Sequence, residues 1–257
     1  MPQRHEISDS EWERIKDLLL PENTGEGRPS KPNRLMLDGM LWVNKTGAPW
    51  RDLPERFGPW ETVYSRFRLW SQNDNFNELF EHLSGDADMQ EMSIDSTSCK
   101  AHQHAAGAKK GAVNAETNQD IGISRGGRNS KIHAVVDALG NPIKLYLTPG
   151  NVNDCTVAID VLNGITLTGS IVMGDKAYGS TTIREFIESN GGSYCIPPKD
   201  NAKEPWDCDF YQYKERHLVE CFFNKLKQFR RIATRYDKLS RSFLSFALLA
   251  SSMILLK

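Results

Sequence analysis

The chain reads as an α/β protein: a mixed sheet with flanking helices over residues 89–257, preceded by a small all-helical module over 1–88. Three observations predict this. As far as Leu83 the apolar residues recur at helical spacing between Gly and Pro breaks. From Glu91 onward short apolar strands alternate with helices, the pattern of a sheet layered with helices. Two of those strands end in an aspartate, Asp95 and Asp175. A length of 257 residues has room for a small module and a larger domain.

In the first module, Ser8-Asp9-Ser10-Glu11 is a capping box, and Trp12, Ile15, Leu18 and Leu19 follow at helical spacing until Pro21. Asn23 to Pro32 is a Gly/Pro-rich basic linker. A second helix is predicted over Asn33–Thr46, with Leu37, Met40 and Leu41 on one face and Gly47 as its C-cap. After the breaks at Pro54, Gly58 and Pro59, a third helix over Trp60–Ser71 turns Val63, Tyr64, Phe67 and Trp70 inward and Arg66 and Arg68 outward. A short fourth helix covers Asn75–Leu83. The second and third helices fit a DNA-reading helix-turn-helix, or a plain bundle whose aromatics fill a core.

The second part begins with a short strand, Glu91–Asp95, and a Gly-, Ala- and Lys-rich loop over Ala105–Arg128. Lys131–Ala138 and Ile143–Thr148 form an antiparallel pair about the turn at Gly140-Asn141. There follow a helix over Asp154–Leu162, a strand over Ser170–Asp175, a helix over Thr181–Ser189 and a strand over Ser193–Ile196. A long helix over Tyr211–Arg230 and an apolar one over Phe243–Leu256 close the chain. This order is ribonuclease H-like.

The overall charge is −1, from 32 Lys+Arg against 33 Asp+Glu, which conceals a division. Residues 1–90 sum to −5 and 201–257 to +5, and basic islands lie at 28–68, 100–131 and 213–241. Each island alone is as well read as a solvated face; three in one chain point to a polyanion met in patches. The five scattered cysteines contain no Cys-x-x-Cys pair, which argues against a disulfide framework or zinc site and for a reducing cytoplasm. No apolar run reaches the roughly 20 residues of a membrane span, and the polar N-terminus lacks the apolar block of a signal peptide.

A carboxylate at the end of an apolar strand is costly to bury unless a metal or another partner meets it. If the strands carrying Asp95 and Asp175 are neighbours, the two acids converge, and Glu220 on a covering helix completes a hard-oxygen set suited to Mg²⁺. Singly, each acid is as well explained as a solvated strand end or helix cap, and Asp120, Asp137 and Asp154 compete with them. Arg216, Glu220 and Lys227 share one helical face, as a metal–phosphate site or as intrahelical ion pairs. The pair His102-x-His104 reads as a loop, and no His or Cys nucleophile arrangement is present.

The pattern Tyr213-x₂-Arg216-x₃-Glu220-x₆-Lys227 resembles the signature of the insertion-sequence DDE transposases, in the group that includes insertion-sequence families four and five. Ile94-Asp95-Ser96-Thr97 resembles the first-aspartate motif of that family, and Gly174-Asp175-Lys176-Ala177-Tyr178 the second. Ser124 to Pro142, Gly47 to Pro54 and Trp60 to Tyr64 resemble further family blocks, so the likeness spans nearly the whole chain. It implies a ribonuclease H-like core with Asp95, Asp175 and Glu220 as catalytic ligands of two Mg²⁺ ions, which Mn²⁺ can replace. It implies also that Tyr213, Arg216 and Lys227 hold the DNA end; the basic islands add Arg230 and Arg231 and, in the helical module, Arg66 and Arg68 as further DNA contacts.

The function so implied is a transposase acting on double-stranded DNA in the cytoplasm, with no membrane partner. It binds the terminal inverted repeats of its element, cleaves a strand and joins the 3′-hydroxyl to target DNA, as a homodimer or larger assembly. Only 44 residues lie between Asp175 and Glu220, so the large β-strand insertion of family-four members is missing. A metal-dependent nuclease without strand transfer, or an inactive copy that only binds DNA, remain alternatives.

Overall fold

The computed structural model describes residues 5–22, 31–105 and 119–257. Most of the basic linker, most of the loop over Ala105–Arg128 and the first four residues lie outside the described residues. Two compact units are present, and they do not follow the linear division at residue 88. The first takes the described parts of Met1–Leu83, Ala101–Gln119 and Leu226–Lys257; the second takes Ser84–Lys100 and Asp120–Lys225.

In the first unit the helices are α1 (Asp9–Ile15), α2 (Asn33–Thr46), α3 (Trp60–Gln72) and α4 (Asn75–Leu83). The capping box opens α1: Ser8 Oγ accepts from Glu11 N, and Ser8 N donates to Glu11 Oε2 at 2.8 Å. Gly47 ends α2 at φ +69°, a left-handed conformation that favours glycine, and donates its N–H to Val43 O. Val63, Phe67 and Trp70 are buried as the spacing predicts, but Tyr64 is 37% exposed and leans on Trp50. Between α2 and α3 the chain runs from residue 47 to 59 through two short 3-10 turns, far longer than the three or four residues of a helix-turn-helix turn.

The chain's C-terminal helix completes this unit's core. It is α9 (Ser240–Leu255), numbered in chain order. Phe246 of α9 stacks on Phe67 at 4.3 Å, and Trp50 lies 5.8 Å from it. Two serines of this largely apolar helix have partners: Ser245 Oγ pairs with Ser71 Oγ at 2.7 Å, and Ser252 Oγ donates to Leu248 O. Asn44 Nδ2 donates to the Phe246 carbonyl at 2.9 Å, which ties α2 to the same helix.

One buried acid in this unit has a measurable consequence. Asp38 on α2 is 8% exposed, accepts from Ile7 N at 2.8 Å, and is pushed by burial to a pKa of about 6. Because that value is raised, the unfolded chain releases the proton first, and stability falls as pH rises from about 4 to about 6. Asp38→Asn keeps an oxygen for Ile7. It is expected to flatten that slope and raise stability at neutral pH by on the order of 2 kcal/mol, read as Tm against pH.

The second unit is a mixed sheet with flanking helices. Its strands are β1 (Glu91–Ala101), β2 (Gly122–Ser124), β3 (Gly127–Val136), β4 (Pro142–Pro149), β5 (Ile171–Met173) and β6 (Ser193–Cys195). They run in the order β4-β3-β1-β5-β6, with β2 also on β3; β1, β5 and β6 are parallel and the other pairings antiparallel. Val161, Leu162 and Ala158 of α5 (Asp154–Leu162) and Ile183 and Ile187 of α6 (Thr181–Ser189) bury against Met92, Ile94, Val135 and Val172 of the strands. This is the predicted α/β architecture.

Two predicted elements of the sheet region change. The strand through Asp95 does not stop there; it continues to Ala101 because Ser96–Lys100 pair with Asn129–His133 of β3. The predicted loop over Ala105–Arg128 contains β2, joined to β3 by the two-residue turn Arg125-Gly126 with Gly127 at φ +93°. The five cysteines are free thiols.

Candidate active site

All three candidate acids lie in the second unit, and sheet register explains how two of them meet. β1 and β5 pair in parallel through Ser93 and Met173. Two residues beyond that pair come Asp95, still within β1, and Asp175, just past the end of β5, which sets them near each other, and the charge of Asp175 acts on the Asp95 carboxyl. The approach is close: a Cβ on Gly174 would stand 3.3 Å from Ile94 Cγ2 and 3.2 Å from Tyr178 Cβ, so glycine is what lets this loop lie against β1. Asp175 Oδ1 accepts from Ala177 N at 2.8 Å, and Asp95 Oδ1 from Ser96 N at 2.7 Å.

Glu220 arrives from a different part of the chain. The predicted long helix over Tyr211–Arg230 is instead a 3-10 segment, Gln212–Arg216, followed by α7 (His217–Lys227) and the short α8 (Arg230–Ala233). Asp209 starts the 3-10 turn by accepting from the N–H groups of Tyr211 and Gln212. Gln212 Nε2 then donates to Glu91 Oε1 at 2.9 Å, and one turn on Arg216 Nη1 donates to Asp95 Oδ2 at 2.9 Å. These two rungs fasten the start of α7 to β1. Val219, Phe222 and Phe223 are buried, which turns Glu220 outward. Arg216 Nη2 donates to Glu220 Oε1, so one guanidinium bridges Asp95 and Glu220.

Burial raises the Asp95 carboxyl above its ordinary value; Ser96 N–H and Arg216 oppose this, and the charge of Asp175 adds to it. Burial also raises the Tyr213 phenol, opposed by its neighbour Arg216 and reinforced by the charge of Asp175. Tyr213, Arg216, Asp95, Asp175 and Glu220 are thus one constellation. Two of the competing acids have partners of their own. Asp137 is 2% exposed and organises the β3–β4 turn by accepting from Leu139 N and Asn141 N. Asp154 pairs with Lys131 Nζ at 2.8 Å.

Two buried residues beneath the acids carry no signal in the sequence beyond the motifs around them. Tyr178, 1% exposed, has a hydroxyl without a hydrogen-bond partner among the described residues; burial and the charges of Asp154, Asp95 and Asp175 raise its pKa. His133 on β3 pairs through Nε2 with Thr148 Oγ1 at 2.8 Å, while Nδ1 has no hydrogen-bond partner among the described residues and lies 3.9 Å from Asp154 Oδ1; burial holds the ring neutral by lowering its pKa to about 4.

The remaining sequence-predicted DNA-binding residues separate. Lys227 ends α7 half-buried, and Arg230 and Arg68 are exposed. Arg66 is half-buried and donates to Asn33 Oδ1 rather than pointing freely outward. Arg231 is the correction of most consequence. It is 5% exposed, grips Asp237 with Nε and Nη2 at 3.0 and 2.8 Å, and donates to Ala48 O, so it is not available to DNA. Its place in a basic run concealed a buried ion pair.

The carboxylate oxygens of Asp95 and Asp175, near each other and partly shielded, suit a hard divalent cation. Yet among the described residues no three His, Cys, Asp or Glu side chains stand close enough together to hold a metal. Glu220 is linked to Asp95 through the Arg216 guanidinium, one side chain away.

A mixed sheet in this order, covered by helices, is the ribonuclease H-like architecture. Comparison with known proteins agrees. Residues 7–80 match the model of a putative transposase of the IS4/5 family, and 86–207 and 172–257 match two transposase DDE domain models. A putative transposase for insertion sequence element IS6501 of Brucella ovis is 42% identical over 129 residues, covering 50% of this chain and 98% of the relative. An uncharacterized protein, y4sN, of Sinorhizobium fredii is 37% identical, covering 47% of this chain and 96% of that one. A piggyBac transposase synaptic complex with hairpin DNA shares the fold at a TM-score of 0.56 and 9% identity, over 96% of this chain and 70% of that one. The chain belongs to the IS4/5 group of DDE transposases, enzymes of metal-dependent DNA phosphoryl transfer. Among the described residues no helix is long and apolar enough to cross a membrane.

Proposed function

We propose that this transposase binds the terminal inverted repeats of its own element in the cytoplasm, cleaves a strand there and transfers the 3′ end to target DNA. The observation that carries the reading is the constellation of Asp95, Asp175 and Glu220 with Arg216 and Tyr213 among them. Two Mg²⁺ ions, or Mn²⁺ in their place, would supply polarisation of the phosphodiester and activation of water or a 3′-hydroxyl. Asp95, within β1, and Asp175, just past β5, would hold those ions together with Glu220. Arg216 offers the forked donors that suit a phosphate, and Tyr213, part-exposed beside it, packs on the DNA end. Lys227 and Arg230 extend the grip on phosphates, and the N-terminal helices, with Arg68 exposed on α3, read the repeat. Two copies bring two ends together.

The test is cleavage and joining of a labelled duplex carrying the element's terminal repeat, with wild type beside Asp95→Asn, Asp175→Asn and Glu220→Gln. Wild type is expected to cleave and join, and each variant to bind and do neither. Cleavage without joining marks a nuclease. Binding without cleavage in either metal marks a DNA-binding protein, and active variants mean that the acids are misassigned.

A further inference from the structure

The bridge made by Arg216 has a consequence for how metal and DNA are admitted. One terminal nitrogen of its guanidinium bonds Asp95 Oδ2 at 2.9 Å and the other bonds Glu220 Oε1. The side chain is 19% exposed, as is Asp95 at 20%, whereas Glu220 is 54% exposed, so the guanidinium lies between a shielded acid and an accessible one. A Mg²⁺-sized cation needs oxygens at about 2.0–2.1 Å in near-octahedral array. With Asp95 Oδ2 and Glu220 Oε1 taken by the guanidinium and Asp95 Oδ1 accepting from Ser96 N, a cation shared by the two acids competes with Arg216 for their oxygens. The same planar fork is matched equally well by a phosphate.

We infer that Arg216 is an exchange latch: it serves as the cation for Asp95 and Glu220, and its transfer to a DNA phosphate releases both carboxylates to a divalent ion. Metal and DNA then bind cooperatively, each favouring the arrangement in which the guanidinium has left the acids, and the coupling is reciprocal. Metal loading is thereby confined to the DNA complex, where the activated water or hydroxyl has a substrate. Arg216 acts here as a positioning residue through Glu220. The inference rests on the reading of the acids as metal ligands given above.

The experiment is Mn²⁺ titration, followed by electron paramagnetic resonance, of the protein alone and with a pre-cleaved terminal-repeat duplex. Wild type is expected to bind Mn²⁺ about tenfold more tightly with the duplex. Arg216→Ala is expected to bind Mn²⁺ several-fold more tightly than wild type without DNA, and to gain much less when DNA is added. Arg216→Lys, whose compact ammonium cannot span both carboxylates, should also lose most of the coupling. A merely structural role has the opposite sign, since a disturbed site would bind metal less well. If Arg216→Ala leaves both the affinity and the coupling at wild-type values, or wild type shows no coupling, the latch is overturned. An Asp175→Asn control separates the two readings. Mn²⁺ binding that ignores Asp175→Asn removes the acids from the metal site and the proposed function with them. Binding lost in Asp175→Asn but untouched in Arg216→Ala removes the latch alone.

Discussion

Asp175→Asn is expected to lower strand cleavage by roughly three orders of magnitude or more with the fold intact, because a ligand of the reacting metal is worth several kcal/mol of transition-state stabilisation. Asparagine keeps the oxygen that accepts from Ala177 N, so the loop after β5 holds its shape. Thermal unfolding should move little, since the residue is only half-buried and stability changes at such positions are about 0.5 kcal/mol. Asp95→Asn should be equally inactive but differ in stability. The Asp95 carboxyl is raised by burial, so the ionised acid weakens the folded state once pH exceeds the ordinary carboxylate range, and the loss grows as pH rises toward the raised value. Asparagine removes that penalty and also the ion pair with Arg216. Cleavage of an end-labelled duplex, beside melting curves at acid and neutral pH, distinguishes the two variants. An Asp175→Asn protein that still cleaves would show that the two neighbouring acids do not form the reaction centre.

How far the site could be read in advance follows from which forces set each part. Asp95 and Asp175 stand out because an acid next to an apolar strand needs a reason, and their meeting required only that β1 and β5 be neighbours. The bridge from Arg216 to Asp95 spans 121 positions and has no local spacing to betray it. Helices with strong punctuation were legible to the residue: α2 with Gly47 beyond it, α4, α5 and α6. The second half of β1 was not, because Ser96-Thr97-Ser98-Cys99-Lys100 has a polar run that only its ladder with β3 makes a strand. Nor was β2, whose Ile123 is 71% exposed; pairing rather than burial makes it a strand. The apolar character of α9 announced burial but not the partner, and Phe67 and Trp50 of the first unit prove to be that partner.

Arg231→Ala is expected to cost about 3–5 kcal/mol, the usual penalty for breaking a buried ion pair and leaving one charge uncompensated. Arg231 and Asp237 are 6% and 9% exposed in their side chains, and their two bonds of 2.8 and 3.0 Å form a fork. The same guanidinium satisfies Ala48 O at 3.1 Å and lies 4.8 Å from the centre of the Phe246 ring. Its removal therefore strands a carboxylate, orphans a carbonyl and opens a gap beside the Phe67–Phe246 stack. At roughly 2–4 °C per kcal/mol for a chain of this size, Tm should fall by about 6–20 °C. Arg231→Lys keeps the charge but not the fork and should recover only part of the loss. Arg231→Met with Asp237→Leu leaves no charge unpaired and should be milder than Arg231→Ala. The nature of the defect decides between a structural and a DNA-binding role. Removing a cation that pairs with a DNA phosphate would lower the salt dependence of DNA binding by about one unit of slope and spare Tm. Arg231→Ala should do the reverse, while the adjacent, exposed Arg230→Ala should change the slope and leave Tm nearly unmoved. Neighbouring arginines in one basic run are thus expected to serve different ends, because the α8 turn buries one and exposes the other.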